Sequence, residues 1–168
     1  MLDPVLLLVF PAAMALAACF DFFTMTIPNR LTVGFAAAFL VAAAFAGMPL
    51  AEFGQHLLAG LAMLAVAFTL FALGWIGGGD AKFFAATATW LGWSHLIEYA
   101  FWFSLLGGGL TLLILFARRV PLPMPLGEVG WVARLHDARQ GIPYGIALAA
   151  AGLIVYPATL WMTEFGGP

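Results

Sequence analysis

Residues 57–82 read LLAGLAMLAVAFTLFALGWIGGGDAK, and the fold turns on how this stretch is understood. Twenty largely apolar residues, 57–76, lead without a charge into Gly77-Gly78-Gly79-Asp80-Ala81-Lys82. A helix needs about 20 apolar residues to cross a bilayer, so the run is long enough to span one and ends beside an acid. Five further apolar runs surround it, at residues 5–20, 31–48, 81–93, 96–116 and 143–162. The run at 81–93 is short, which sets Asp80 at or below the membrane surface. The chain as a whole agrees: 64% of its 168 residues are apolar and 8% are charged, where soluble domains carry about 25% charge. Mean hydropathy is +1.05. This excludes an ordinary soluble enzyme, a disordered tail and a nucleic-acid-binding module. Long unbroken runs disfavour a membrane β-barrel, whose strands alternate. The expected fold is an all-α polytopic membrane protein of about six transmembrane helices, organised as one membrane-embedded domain over residues 1–168.

The basic residues orient it. With six spans, Arg30, Lys82, Arg118, Arg119, Arg134 and Arg139, all six of the chain's Lys and Arg, fall in loops on one side. Cytoplasmic loops carry such an excess. Asp3, Glu52, His56, His95, Glu98 and Glu164 fall on the other. Both termini are thus expected outside, and Asp21 and Asp80 at the cytoplasmic ends of spans one and four. The one sizeable loop, residues 117–142, is expected to be cytoplasmic. It opens on the proline-broken Pro121-Leu122-Pro123-Met124-Pro125. Over residues 127–140, Val129, Val132 and Leu135 are spaced for one face of a short helix on the membrane surface. Leu16-Ala17-Ala18-Cys19 matches a lipoprotein cleavage box, but no positive charge precedes it. The plainer reading of Cys19 is a small residue packed inside the bundle, and a lone cysteine excludes an internal disulfide.

The acids near the membrane carry the chemistry. An ionised Asp at bilayer depth costs roughly 2.5–3.5 kcal/mol, so such residues point to function. Asp21 directly follows an apolar run, and Ile27-Pro28-Asn29 comes six residues later. Three glycines before Asp80 weaken a helix and would let an extended peptide backbone come close to the carboxyl. Taken singly, each feature has a plainer reading. Asp21 suits a helix-end acid, Gly77–Gly79 a turn, and Lys82 a positive-inside anchor. Glu128, Asp137 and His136 suit a solvated loop. No serine or cysteine is set with a histidine on the cytoplasmic side for nucleophilic catalysis, and no His-Glu zinc motif occurs.

Together the two motifs resemble the type IV prepilin peptidase family, membrane aspartyl proteases with a Gly-x-Gly-Asp signature. Asp21 with Ile27-Pro28-Asn29 is similar to the first catalytic motif. Gly77-Gly78-Gly79-Asp80-Ala81-Lys82 is similar to the second, and Pro143-Tyr144-Gly145-Ile146-Ala147 to the start of the last span. One position departs: Phe23 stands where many relatives have arginine, which bears on leader recognition. The resemblance implies Asp21 and Asp80 as catalytic residues, with Gly77, Gly78, Gly79, Lys82, Pro28 and Asn29 binding substrate. It implies no metal or organic cofactor. It also implies a prepilin or pseudopilin substrate with a basic cytoplasmic leader, a glycine before the cut and an apolar helix in the bilayer. The chain looks like the short form found with tight-adherence (Flp-type) pili. That form lacks the cytoplasmic domain of longer relatives, which also methylate the new N-terminus, so cleavage without methylation is expected in the bacterial inner membrane.

Two close carboxyls cannot easily both ionise, so such a pair should share one proton. The ionised member would activate a water and the protonated one would donate to the oxyanion or leaving amine. Two other classes compete. A small ion-coupled transporter also uses membrane acids and broken helices, but usually shows inverted repeats and mid-membrane acids. A non-catalytic pilus-assembly subunit would not need two acids.

Overall fold

The computed structural model describes residues 4–165. Among them every regular element is helical, as lipid demands of a chain that must satisfy its backbone internally. Helix α1 covers Pro4–Thr24, α2 Asn29–Ala46, α3 Leu50–Ala72 and α4 Gly78–Leu91. After a 3₁₀ turn at Trp93–His95 come α5, Leu96–Ala117, and two short helices, α6 (Met124–Gly127) and α7 (Gly130–His136). Helix α8, Tyr144–Val155, continues through a 3₁₀ turn into α9, Leu160–Thr163. Four segments are long and apolar enough to cross a membrane: Leu6–Thr24, Asn29–Ala46, Leu50–Ala72 and Trp93–Ala117. The protein is a polytopic α-helical membrane protein.

Prolines set the starts. Pro28, Pro49, Pro123 and Pro143 each occupy the position before a helix, α2, α3, α6 and α8 in turn. A proline there has no N–H to leave unsatisfied and cannot extend a helix backwards. Helix α2 stops at Gly47, whose left-handed φ of 62° lets its N–H reach back to the carbonyls of Ala43 and Ala44.

Helix α4 is the hub. It has only 14 residues, and it packs against α3, α2 and α8. Ala81, Phe83, Ala85, Ala86, Thr87, Ala88, Trp90 and Leu91 are all buried. Apolar side chains gain little by leaving lipid for protein, so close packing and hydrogen bonds must hold such a bundle. Phe35 stacks on Trp90 at 5.3 Å, and Phe10 on Tyr156 at 4.2 Å. Trp90 Nε1 donates to the Phe35 carbonyl, and Trp161 Nε1 to the Trp90 carbonyl. His56, at the end of the bundle away from the two acids, is buried with Nδ1 2.8 Å from the Thr89 carbonyl.

Several boundaries differ from the sequence expectation. Helix α1 continues past residue 20, so Asp21 lies in its last turn rather than after it. Helix α3 starts at Leu50 rather than 57, because Glu52 and Gln55 fall on exposed positions. Gly78 and Gly79 are the first residues of α4, and no positive φ occurs in residues 77–79. The expected surface helix is confined to α7, with Val129 as the residue before it. Rather than only resting on lipid, it docks on the end of α1: Trp131 lies 4.9 Å from the Phe22 ring and 5.7 Å from that of Phe23. Arg134 Nη2 donates to the Phe23 carbonyl at 2.6 Å, a cation at a helix C-terminus. Arg118 Nε ties the loop back to the Leu135 carbonyl at 2.8 Å. Cys19 is exposed on the outer face of α1, which corrects the expectation that it packs inside. It points outward because Ala17 and Asp21 occupy the buried face of that turn.

Candidate active site

The end of α1, the starts of α2 and α4, and the loops between them enclose a cavity of about 260 Å³. Asp21 and Asp80 both line it, with Asn29, Gly77, Gly78 and Gly79. Two acids that lie 59 positions apart in the chain are thus brought to one space.

Asp21 is 4% exposed. Its partner is the backbone N–H of Gly145, which donates to Oδ2 at 2.6 Å. That N–H belongs to the first turn of α8, where helix amides have no internal acceptor. The approach is close because position 145 has no side chain. A Cβ there would sit 2.8 Å from Asp21 Cβ and Oδ2 and 2.9 Å from Ile27 Cδ1. Two turns further, Gly152 gives the same helix pair its closeness against Met14 Sδ.

Asp80 is the third residue of α4 and is half-buried. Its side chain turns back over Gly77, where a Cβ would lie 3.0 Å from Oδ2. An acid at this place in a first turn favours the helix N-terminus. Gly79 faces the protein rather than open space: a Cβ would meet Ile27 N at 3.3 Å and Ile27 Cβ at 3.4 Å. The loop Met25–Pro28 therefore lies across the glycines. Met25 turns it with a φ of 56°, and Thr24 Oγ1, which donates to the Phe20 carbonyl, closes the last turn of α1.

The remaining expected residues divide. Lys82 Nζ donates to Asn29 Oδ1 at 3.1 Å, joining the starts of α4 and α2, but Lys82 does not line the cavity. Pro28 also stands outside the lining and serves as the residue before α2. Phe23 is exposed beside Trp131. Gly145, Met25, Thr26 and Ile27 are not among the expected site residues. The Pro143-Tyr144-Gly145 stretch signalled the first and Ile27-Pro28-Asn29 the last, while nothing local marked Met25 or Thr26. Among the described residues no group of three or more His, Cys, Asp or Glu could hold a metal ion.

A helical membrane bundle with two acids facing one cavity at its end defines the class. Residues 8–112, more than half of the chain, match the type IV leader peptidase family, and the chain belongs to it. The match spans both acids and ends before Gly145. No curated protein and no solved structure matches the chain.

Proposed function

We propose that this chain is an intramembrane aspartyl endopeptidase that removes the leader peptide from type IV, Flp-like prepilins at the cytoplasmic face of the inner membrane. One observation carries the reading: Asp21 and Asp80, each inside a motif of the family, line the same cavity. Two carboxyls in one space share a proton. The ionised member takes a proton from a water between them. The water attacks the scissile carbonyl while the protonated member donates its proton to the oxyanion. As the resulting diol collapses, the member that took the water's proton passes it to the leaving amine and the other recovers one from a diol hydroxyl. The pair acts as a unit, so neither acid alone owns the first step. Gly145 holds Asp21 in place through its N–H, and Gly77 leaves room for the Asp80 carboxyl.

The substrate is a prepilin with a basic leader on the side that carries Arg30, Lys82 and Arg118–Arg139. Its apolar helix lies in the bilayer. The test is co-expression with candidate prepilins in cells lacking any other such enzyme. Mass spectrometry of the mature N-terminus should map a cut after the leader, lost in the Asp21→Asn and Asp80→Asn chains. Cleavage at a near wild-type rate by the Asp80→Asn chain would refute the assignment.

A further inference from the structure

Asp80 borders a second space. Helix α3 packs along α4 while α5 packs along α8, and between α3 and α5 lies a groove of about 400 Å³. Met63, Val66 and Leu70 form one wall, Ala100, Phe103 and Ser104 the other. Phe84, Tyr144 and Leu148 lie between them, and Trp75, Ile76 and Asp80 complete the lining. The lining is apolar except for Asp80 and the hydroxyls of Ser104 and Tyr144. Tyr144 already accepts from Thr111 Oγ1. Both walls reach the outer face of the bundle, since Val66 is half exposed and Ala100 and Ser104 are exposed.

A second apolar groove, of about 480 Å³, lies on the other side of α3, lined by Val33, Leu57, Leu61 and Lys82. It reaches neither acid. Asp80 and Lys82 are two residues apart on α4, roughly 200° around the helix, and so face opposite ways. Of the two grooves, the one between α3 and α5 alone has an acid of the pair in its wall.

We propose that the groove between α3 and α5 docks the apolar helix of the substrate just beyond the scissile bond, entered sideways from lipid. The inference rests on Asp21 and Asp80 being the catalytic pair. Its occupant follows from the polarity of the two spaces that meet at Asp80. One holds both acids and is lined by Gly77–Gly79, the other is hydrocarbon-like. A chain laid from the first into the second passes Asp80 where its own character changes from polar to apolar. A prepilin makes that change close to its cut, with leader on one side and membrane helix on the other. A lipid acyl chain suits only the apolar half.

Groove-filling Ala100→Trp and Ser104→Trp test this, with Leu61→Trp in the opposite groove as control. All three positions are exposed on the bundle, so a larger side chain has lipid to occupy. Each chain is assayed on full prepilin and on a leader peptide that stops a few residues past the cut. Filling should lower kcat/KM for prepilin by roughly tenfold or more and change the short peptide less than about twofold. The control should change neither. In addition, a photo-crosslinking residue at Ser104 of the Asp80→Asn chain should capture prepilin within its apolar helix, and one at Leu61 should not. Capture at Leu61 alone, or prepilin cleavage unmoved by both fillings, would overturn the groove and point to lipid there. An equal loss on both substrates would overturn it too. Failure of the catalytic pair reads differently: Asp80→Asn would then cut both substrates whatever fills the groove.

Discussion

The backbone N–H of Gly145 donates to Asp21 Oδ2 at 2.6 Å, across 124 positions of the chain. This contact pins the last turn of α1 to the first turn of α8. It fixes one carboxyl of the pair by a backbone group, which has no rotamers to lose. It also places a residue outside the matched family segment in direct contact with the proposed chemistry.

Gly145→Ala should therefore be severe. Its methyl would fall 2.8 Å from Asp21 Cβ and Oδ2, inside any tolerable contact, and α8 would have to move from α1. A displacement near an ångström can cost on the order of 100-fold in rate. Gly109→Ala, where a Cβ meets nothing within 4 Å, should keep full cleavage. Rates of prepilin processing at matched protein amounts check both. Equal activity of the two chains would mean that the contact does not position Asp21.

The two acids should behave as one unit. Asp21→Asn and Asp80→Asn should each abolish processing, and the double variant should be no worse than either single. Removing a membrane acid eases insertion, so the amount of protein should hold. Asp→Glu at either site should also fail or nearly so, because one methylene moves the carboxyl by about an ångström. Glu128→Gln and Asp137→Asn, in exposed loop positions, should retain most activity. Immunoblots of pilin maturation alongside membrane-fraction levels separate loss of chemistry from loss of protein.

Gly79→Ala should lower cleavage by roughly tenfold. The cause is the Met25–Pro28 loop, whose Ile27 N would lie 3.3 Å from the new methyl and must give by a few tenths of an ångström. Gly34→Ala, in open space, should be neutral. A further Ile27→Val in the Gly79→Ala chain would not relieve a backbone contact, so activity should stay low. Recovery in that double variant would place the conflict at the Ile27 side chain instead.

Orientation can be read by thiol labelling in a Cys19→Ser background, since Cys19 is itself exposed. Ala51→Cys should label from the periplasm, and Arg139→Cys only after the membrane is permeabilised. Periplasmic labelling at residue 139 would overturn the inside assignment of the basic loops.

The helical membrane class is legible in the sequence because lipid allows few alternatives to an apolar run, whereas of the six expected spans four are long and apolar enough to cross. Edges are less so, for a local reason. Glu52, Gln55 and His56 interrupt the hydropathy before residue 57, yet α3 simply turns Glu52 and Gln55 outward and His56 inward. Asp21 looks like an end to α1, but Gly145 satisfies it inside the last turn. Both acids are readable from their motifs. The Gly145 contact is not, since it joins residues far apart and leaves no periodic trace. The glycines before Asp80 are legible as a place of close approach and not as to what approaches. Gly79 meets Ile27 of the same chain.

Fourteen residues make α4 about 21 Å long, against a hydrocarbon layer of about 30 Å. The helix that carries Asp80 is thus shorter than an ordinary bilayer core, and lipid bordering this end of the bundle is expected to thin toward it. Such thinning would bring headgroups and water toward the acid pair. The protein then becomes sensitive to its solvent. Reconstituted into lipids of increasing acyl length, it should lose activity as the bilayer thickens, while the same protein in short-chain lipid keeps it.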